Sequence, residues 1–256
     1  MQIPRRPVHE PPDWGTVTDT KIPTPDGRNL EVWRIEPDGP SKGIVLLAHG
    51  WGRNRDRMIN RARIFGKRGY TTVVHSARDH GGSTPHPMMN GGTFGEDIET
   101  VLDWIGEPVI LYGHSAGAVG AALAARRRQD MVTMLCLEGS FAYTAPGLKA
   151  LYYSTNHLFG FLFARMIIFW FIYLYRFPLH AASPALQAPH IQVPVLIIHG
   201  EEDQRFPVEF GKTLHAAFKP GQADLFIAPG ADHSNSSYQE GYEEALDKFL
   251  TRRPKE

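Results

Sequence analysis

The chain has 256 residues, of which 42% are hydrophobic, and its 27 lysine and arginine residues balance 27 aspartate and glutamate residues. This length suits one large domain, and we predict a single domain over residues 1–256. A formal net charge of zero gives no long-range attraction for nucleic acid, so we expect no nucleic-acid partner. The single cysteine, Cys136, excludes an internal disulfide framework, and its apolar surroundings favour an inert buried thiol.

The beginning of the chain, MQIPRRPVHEPPDW, is rich in proline and has no apolar core of the kind found in secretory signal peptides. Proline disfavours an N-terminal helix, so we interpret this segment as an extended arm. We expect a cytoplasmic protein. The next segment, NLEVWRI, alternates between apolar and polar residues, which predicts a half-exposed strand.

Continuous apolar runs then alternate with helical patterns along most of the chain. The runs are GIVLLAH, YTTVVHS, EPVILYGH, MVTMLCLEG and VPVLIIHG, and ADLFIAPG fits a final strand. Helices are predicted over residues 58–66, 95–105, 116–128, 208–218 and 239–252. Strands without alternation are typical of a parallel sheet covered by helices on both faces. The sequence therefore predicts an α/β fold with a doubly wound, mostly parallel sheet, whose polar site lies at the carboxyl ends of the strands.

A basic segment, RNRDRMINRAR, extends from Arg53 to Arg63. Apolar residues are spaced through it at helical intervals. We therefore interpret its arginines as the solvated face of a helix rather than as a binding surface.

The motif GHSAG, from Gly113 to Gly117, follows the apolar run PVILY and precedes the small-residue segment AVGAALAARRR. A strand, a sharp turn and a helix are the setting of a nucleophile elbow, which exposes a serine hydroxyl above the sheet. Ser115 is therefore the candidate nucleophile. The alternative interpretation is that Ser115 only caps the N-terminus of the helix.

A serine hydroxyl needs a base to accept its proton and a third group to orient that base. His233, in the segment GADHS after the last predicted strand, is the candidate base. Asp203, in the segment HGEED after the run VPVLIIHG, is the candidate orienting acid. The order serine, aspartate, histidine is the one that this fold uses. No spacing typical of a metal site is present, so neither a metal nor another cofactor is expected.

Taken together, these motifs resemble the α/β-hydrolase superfamily over essentially the whole chain, and the segment SPALQAPHIQVPVLIIHGEEDQRFP is similar to its Bem46-like and monoacylglycerol-lipase-like branches. The resemblance implies an oxyanion hole formed by the backbone N–H groups of Trp51, in AHGWG, and Ala116. The segment ARDHGGS also resembles an Arg-Gly-His-Gly-x-Ser loop of the family. It departs from that pattern at Asp79, where glycine is usual, and at Ser76, where the family often has aspartate.

The run LFGFLFARMIIFWFIYLY, from Leu158 to Tyr175, is almost long enough to cross a bilayer. A single crossing would put Ser115 on one side of the membrane and Asp203 with His233 on the other. We therefore predict a helical cap over about residues 141–190, inserted where the resembled family commonly carries one, with apolar side chains that pack on the core and line an acyl or aryl pocket. An exposed part of this cap would offer a peripheral membrane contact or a homodimer interface.

The predicted function is that of a serine carboxylester hydrolase acting on small to medium acyl or aryl esters through an acyl-enzyme intermediate. Two alternatives stay open. One is an amidase or aminopeptidase with the same three residues, in which Glu138, Glu201 or Glu202 would anchor a charged substrate terminus. The other is a non-catalytic ligand-binding protein on the same fold, since a fold alone does not establish a function.

Overall fold

The computed structural model describes residues 10–155 and 179–252, together with residues 160, 164–166, 168–169 and 172–173. The strands are β1 Thr16–Pro23, β2 Asn29–Glu36, β3 Ile44–Ala48, β4 Thr71–His75, β5 Val109–His114, β6 Val132–Glu138, β7 Val195–Gly200 and β8 Ala223–Ala228. The helices are α1 Ile59–Gly66, α2 Gly91–Ile105, α3 Ala116–Arg127, α4 Thr144–Thr155, α5 Pro184–Gln187, α6 Glu209–Ala216 and α7 Tyr242–Leu250. Short 3-10 helices cover Arg55–Met58, Leu179–Ala182, Ala188–His190 and Ser236–Tyr238.

The strands form one eight-stranded sheet in the order β1-β2-β4-β3-β5-β6-β7-β8. Strands β3 to β8 pair in parallel, whereas β1 and β2 are antiparallel to their neighbours at one edge. The predicted strands and the mostly parallel sheet are confirmed, but the expectation that the strand NLEVWRI is half-exposed is wrong, because most of β2 is buried. Strand β1 was not predicted, because most of its side chains are exposed at the sheet edge and its sequence therefore carries no apolar run.

Helices cover both faces of the sheet, as expected for a doubly wound fold. Side chains of α2, α3 and α6 pack on one face in a cluster that includes Leu46 and Leu111. Side chains of α1 and α7 pack on the other face around Val45 and Leu47. Helix α2 begins four residues before its predicted start, because Asn90 accepts hydrogen bonds from the backbone at the first turn and forms a capping box with Thr93.

The interpretation of the basic segment as a solvated face is wrong for two of its arginines. Arg55 and Arg61 each have only 2% of the side chain exposed. Arg55 stacks on the Trp33 ring, 3.8 Å from the ring centroid, and its guanidinium pairs with Asp19 at 2.7 Å. Arg61 pairs with the buried Glu138. Arginine spacing alone cannot distinguish a solvated face from one whose partners come from distant strands.

In the segment between β6 and β7, most of the described residues are helical, whereas residues 139–143, 183 and 191–194 are bends or irregular. Its two ends are joined: the Thr144 N–H donates to Ser183 Oγ at 3.1 Å, and the Ala185 N–H donates to Ala142 O at 2.9 Å. The run from Leu158 to Tyr175 lies largely outside the described residues, so the cap over residues 141–190 stays a prediction. Within the described ranges, no helix is both long enough and apolar enough to span a bilayer.

Candidate active site

Ser115 occupies the tight turn between β5 and α3, with φ of 56° and ψ of −118°. Positive φ is strained for a residue with a side chain and is typical of functional turns. The two glycines of the motif allow the turn to form. A Cβ on Gly113 or on Gly117 would collide with backbone atoms of α3 or β3 respectively, so no larger residue fits at either position.

Three of the predicted site residues meet in one chain of hydrogen bonds. The Ser115 hydroxyl lies 2.9 Å from Nε2 of His233, and Nδ1 of the same imidazole lies 2.7 Å from Oδ2 of Asp203. All three residues are more than nine-tenths buried. Because a carboxylate only accepts, Nδ1 of His233 carries the proton donated to Asp203, and Nε2 is left to accept the hydroxyl proton.

Asp203 is held by the loop that follows β7. Its second oxygen, Oδ1, accepts hydrogen bonds from the backbone N–H groups of Arg205 and Phe206, each at 2.9 Å. Burial alone would raise the pKa of Asp203, but the hydrogen bond and electrostatic attraction of His233, together with the Phe206 N–H, bring this pKa below its ordinary value. The carboxylate therefore stays ionised and fixed in direction at neutral pH.

A second imidazole, that of His114, fixes the loop that carries His233. Nε2 of His114 lies 2.8 Å from the His233 carbonyl, and since a carbonyl only accepts, His114 donates. Burial lowers the pKa of His114 to about 3, so its ring is neutral. The Phe206 ring meets the His233 imidazole edge to face, with centroids 5.2 Å apart. These contacts restrict the rotation of His233.

A buried ion pair joins the turn that carries Ser115 to the loop that carries His233. Both oxygens of Glu138 accept from the Arg61 guanidinium at 2.5 Å, and the Tyr112 hydroxyl donates to the same carboxylate. The Ser115 N–H donates to the Glu138 carbonyl at 2.9 Å, and Arg61 donates to the Ser234 carbonyl at 3.2 Å. Burial would raise the pKa of Glu138, but Arg61 lowers it to about 2.

This ion pair also answers one question that the sequence left open. Glu138 is fully buried and bonded to Arg61, so it is not free to anchor a charged substrate terminus. Burial likewise raises the pKa of the Cys136 thiol, which supports its interpretation as an inert side chain. Within the part of the chain that the structure describes, no group of three or more histidine, cysteine, aspartate or glutamate side chains is arranged to hold a metal.

The two predicted oxyanion donors flank Ser115. Ala116 is the first residue of α3, and Trp51 lies in the turn after β3. That turn lies directly against Ser115, since a Cβ on Gly50 would be 2.8 Å from the Ser115 Cβ. Among the hydrogen bonds of the described residues, neither the Trp51 N–H nor the Ala116 N–H is a donor. Both groups are therefore available to an oxygen bound next to Ser115.

The arrangement can remove a proton from a serine hydroxyl and stabilise the resulting cation, which is the chemistry of a serine nucleophile. The sequence did not reveal the supporting residues, namely His114, Phe206, Arg61 and Glu138. The only signal was the position of His114 and Glu138 at the ends of parallel strands, where a site is expected in this fold. Their partners come from distant segments, so no local pattern marks them.

Comparison with known proteins supports the same class. A family model described as serine aminopeptidase, S33, matches residues 39–170, and one described as TAP-like protein matches residues 175–255. Lysophosphatidylserine lipase ABHD12 of Macaca fascicularis is 26% identical over 246 residues, which cover 90% of this chain and 59% of that protein. The chain thus spans about three fifths of the length of this relative. An uncharacterised membrane protein of Saccharomyces cerevisiae is 21% identical over 267 residues, covering 93% of this chain and 86% of that protein.

Among solved structures, an esterase of Pyrococcus furiosus, Pf2001, superimposes with a TM-score of 0.77 at 18% sequence identity, and the match covers 100% of both chains. At this identity the likeness concerns the fold. The S33 model, in contrast, matches more than half of the sequence. The chain therefore belongs to the serine aminopeptidase S33 family and has the α/β-hydrolase fold.

Proposed function

We propose that the chain is a serine carboxylester hydrolase in which Ser115 is the nucleophile, His233 the general base and Asp203 the orienting acid. The observation that carries this proposal is the continuous chain of hydrogen bonds from Asp203 through His233 to Ser115. A serine that merely capped α3 would accept a hydrogen bond from a backbone N–H group in the first turn of that helix. Ser115 makes no such side-chain hydrogen bond and is directed to an imidazole instead.

In the first half of the reaction, Ser115 Oγ attacks the ester carbonyl while Nε2 of His233 takes the hydroxyl proton. The imidazolium that forms lies between two hydrogen-bonding groups, and the ionised Asp203 stabilises its charge. His233 then returns the proton to the oxygen of the leaving alcohol as the C–O bond breaks. An acyl group stays on Ser115.

In the second half, His233 takes a proton from water, and the resulting hydroxide attacks the acyl carbonyl. Collapse of this intermediate returns the proton to Ser115 and releases the carboxylic acid. In both halves a negative charge develops on the carbonyl oxygen. The Trp51 and Ala116 N–H groups are the proposed donors to this oxygen, and each such donor contributes about 3 kcal/mol to lowering the barrier in comparable sites.

The proposed substrates are esters with an apolar acyl or aryl group. Phe141 and Phe206 form an edge-to-face pair 5.4 Å apart, and Phe206 also contacts His233, so an apolar surface extends from the base toward the predicted cap. The lysophosphatidylserine lipase relatives extend the proposal to monoacyl lipid esters. Residues 139–200 contain no aspartate or glutamate, although the chain has 27, so this face does not repel an anionic head group.

The rival activity is cleavage of amides, which the description of the S33 family favours. Paired p-nitrophenyl esters and p-nitroanilides of the same acyl groups, from two to twelve carbons, distinguish the two activities. We expect kcat/KM for each ester to exceed that for the matching anilide by at least about 100-fold. A higher value for the anilides, particularly with a free α-amino group, would make the protein an aminopeptidase.

A peripheral membrane contact is the partner that we propose for the cap. Met166, Phe169, Ile172 and Tyr173 lie on described helical residues and are each 46–66% exposed. The predicted cap is free of acidic residues and carries Lys149, Arg165 and Arg176, which suits an anionic bilayer.

Sedimentation with lipid vesicles tests this contact. More protein is expected in the pellet with vesicles containing phosphatidylserine than with phosphatidylcholine alone, and Phe169→Ser with Tyr173→Ser is expected to reduce binding. A homodimer through the same surface would instead appear as a doubled mass in solution, lost in the same double variant.

A further inference from the structure

Two buried imidazoles contact the turn that carries Trp51. Neither belongs to the chain of hydrogen bonds that joins Ser115, His233 and Asp203. His49 and His80 are 1% and 2% exposed, and their ring centroids lie 5.1 Å apart. Neither takes part in proton transfer in the proposed mechanism. Buried polar rings are retained only at a free-energy cost unless their nitrogens are satisfied, so the partners of these nitrogens indicate what the rings do.

Backbone donors determine the protonation of both rings. The Gly52 N–H donates to Nε2 of His80 at 3.1 Å, so this nitrogen has no proton, and Nδ1 carries the proton that is donated to the Arg78 carbonyl at 2.8 Å. In the same way, the Ala77 N–H donates to Nε2 of His49 at 2.9 Å, and Nδ1 donates to the Gly50 carbonyl at 2.7 Å. Burial lowers the pKa of both imidazoles, which keeps the rings neutral.

These hydrogen bonds involve the peptide groups on both sides of Trp51. The Gly50 carbonyl bonded to His49 belongs to the same peptide group as the Trp51 N–H, and a peptide whose oxygen accepts a hydrogen bond becomes a better donor at its nitrogen. The Gly52 N–H bonded to His80 belongs to the next peptide group. Gly52 has φ of 67° at the third position of a turn closed by the Arg53 N–H and the Gly50 carbonyl. Both peptides that flank Trp51 are thus fixed by an imidazole.

We infer that His80 is a positioning residue for the oxyanion turn: its Nε2 lone pair holds the Gly52 N–H, and this keeps the Trp51 N–H directed at the oxygen of the attacked carbonyl. The inference rests on the proposed function. It assigns a role to the histidine of ARDHGGS, which the three-residue mechanism does not use. The Trp51 ring packs edge-on against His80 at 5.9 Å, so the same imidazole also supports the side chain of the turn.

Three substitutions at position 80 distinguish the effect of the hydrogen-bond acceptor from the effect of the size of the ring. His80→Phe keeps the packing against Trp51 and Phe94 but loses both nitrogens. His80→Asn retains a donor near the position of Nδ1, and His80→Gln retains an acceptor near the position of Nε2. The matched control is His86→Phe, since His86 also lies close to a backbone carbonyl, that of Met88 at 2.7 Å, but contacts nothing in the oxyanion turn.

Two readouts are measured for each variant: kcat and KM for p-nitrophenyl butyrate, and the hydrogen-exchange rate of the Gly52 amide. We expect His80→Phe and His80→Asn to lose the Gly52 protection and to lower kcat by about 10- to 100-fold with KM within about threefold of the original. His80→Gln should restore most of the Gly52 protection and most of kcat. His86→Phe should change neither quantity.

Unchanged kcat in His80→Phe and His80→Asn, with the Gly52 amide exchanging fast, would overturn the inference while leaving the hydrolase assignment intact. Equal losses in His80→Gln and His80→Phe would overturn it as well, because the acceptor would then make no difference. Failure of the unmodified protein to hydrolyse any ester, with Gly52 protected, would instead overturn the proposed function and this role with it. Thermal unfolding of each variant verifies the fold, and if His80→Phe does not fold, the Asn and Gln variants decide between these outcomes.

Discussion

Replacing Ser115 with alanine is expected to lower kcat for p-nitrophenyl ester hydrolysis by about 10⁴-fold or more, because the hydroxyl proposed to form the acyl-enzyme is removed. The melting temperature should change little, since alanine keeps the Cβ of the turn and, among the described residues, the Ser115 hydroxyl bonds only to His233. Activity and thermal unfolding of the same preparation check both parts. Turnover within about tenfold of the original protein would exclude Ser115 as the nucleophile.

A matched pair of variants provides the control for this prediction. His233→Ala removes the base and is expected to lower kcat by a similar factor, and the double variant should be no worse than either single one, because the residues act as a unit. Ser140→Ala removes another buried serine, whose hydroxyl bonds to the Phe141 carbonyl and lies outside the hydrogen-bonded chain. It should retain near-full activity.

Replacing Arg61 with leucine is expected to lower the free energy of unfolding by about 3–5 kcal/mol, because Glu138 would be left as an uncompensated buried charge. Both partners of this ion pair are at most 2% exposed. Activity should fall further than the loss of folded protein explains, since Arg61 also bonds the Ser234 carbonyl next to His233. Urea unfolding monitored by circular dichroism gives the free energy, and kcat is measured on the folded fraction.

The control for this prediction lies on the same helix. Arg63 pairs with Asp13, but its side chain is 40% exposed and that of Asp13 is 80% exposed. Arg63→Leu should therefore cost less than about 1 kcal/mol. Adding Glu138→Gln to Arg61→Leu should recover part of the lost stability, because the unpaired charge is removed. Equal losses in the free energy of unfolding for Arg61→Leu and Arg63→Leu would show that breaking the buried ion pair costs no more than breaking the exposed one.

The parallel strands and the three candidate site residues were predictable because each leaves a local pattern. Continuous apolar runs mark strands covered on both faces, and GHSAG, HGEED and GADHS follow three of them. The exposed strand β1 leaves no such pattern, since its side chains face solvent at the sheet edge. The spacing of the arginines around α1 even indicated the opposite of what Arg55 and Arg61 do.

The supporting contacts of the site were not predictable for a different reason. Glu138 and Arg61 are 77 residues apart, and His114 and His233 are 119 residues apart, so only the folded sheet brings each pair together. No role was predicted from the sequence for the two imidazoles around Trp51. Their role depends on which nitrogen accepts a backbone N–H, and that is a property of the folded turn alone.

Covalent labelling with a fluorophosphonate, followed by mass spectrometry of the peptides, tests whether Asp203 and His233 activate Ser115. We expect one labelled residue, Ser115, in the original protein, with labelling lost in Ser115→Ala and strongly slowed in His233→Ala. An unlabelled protein, or a label that persists on another residue in Ser115→Ala, would contradict this expectation.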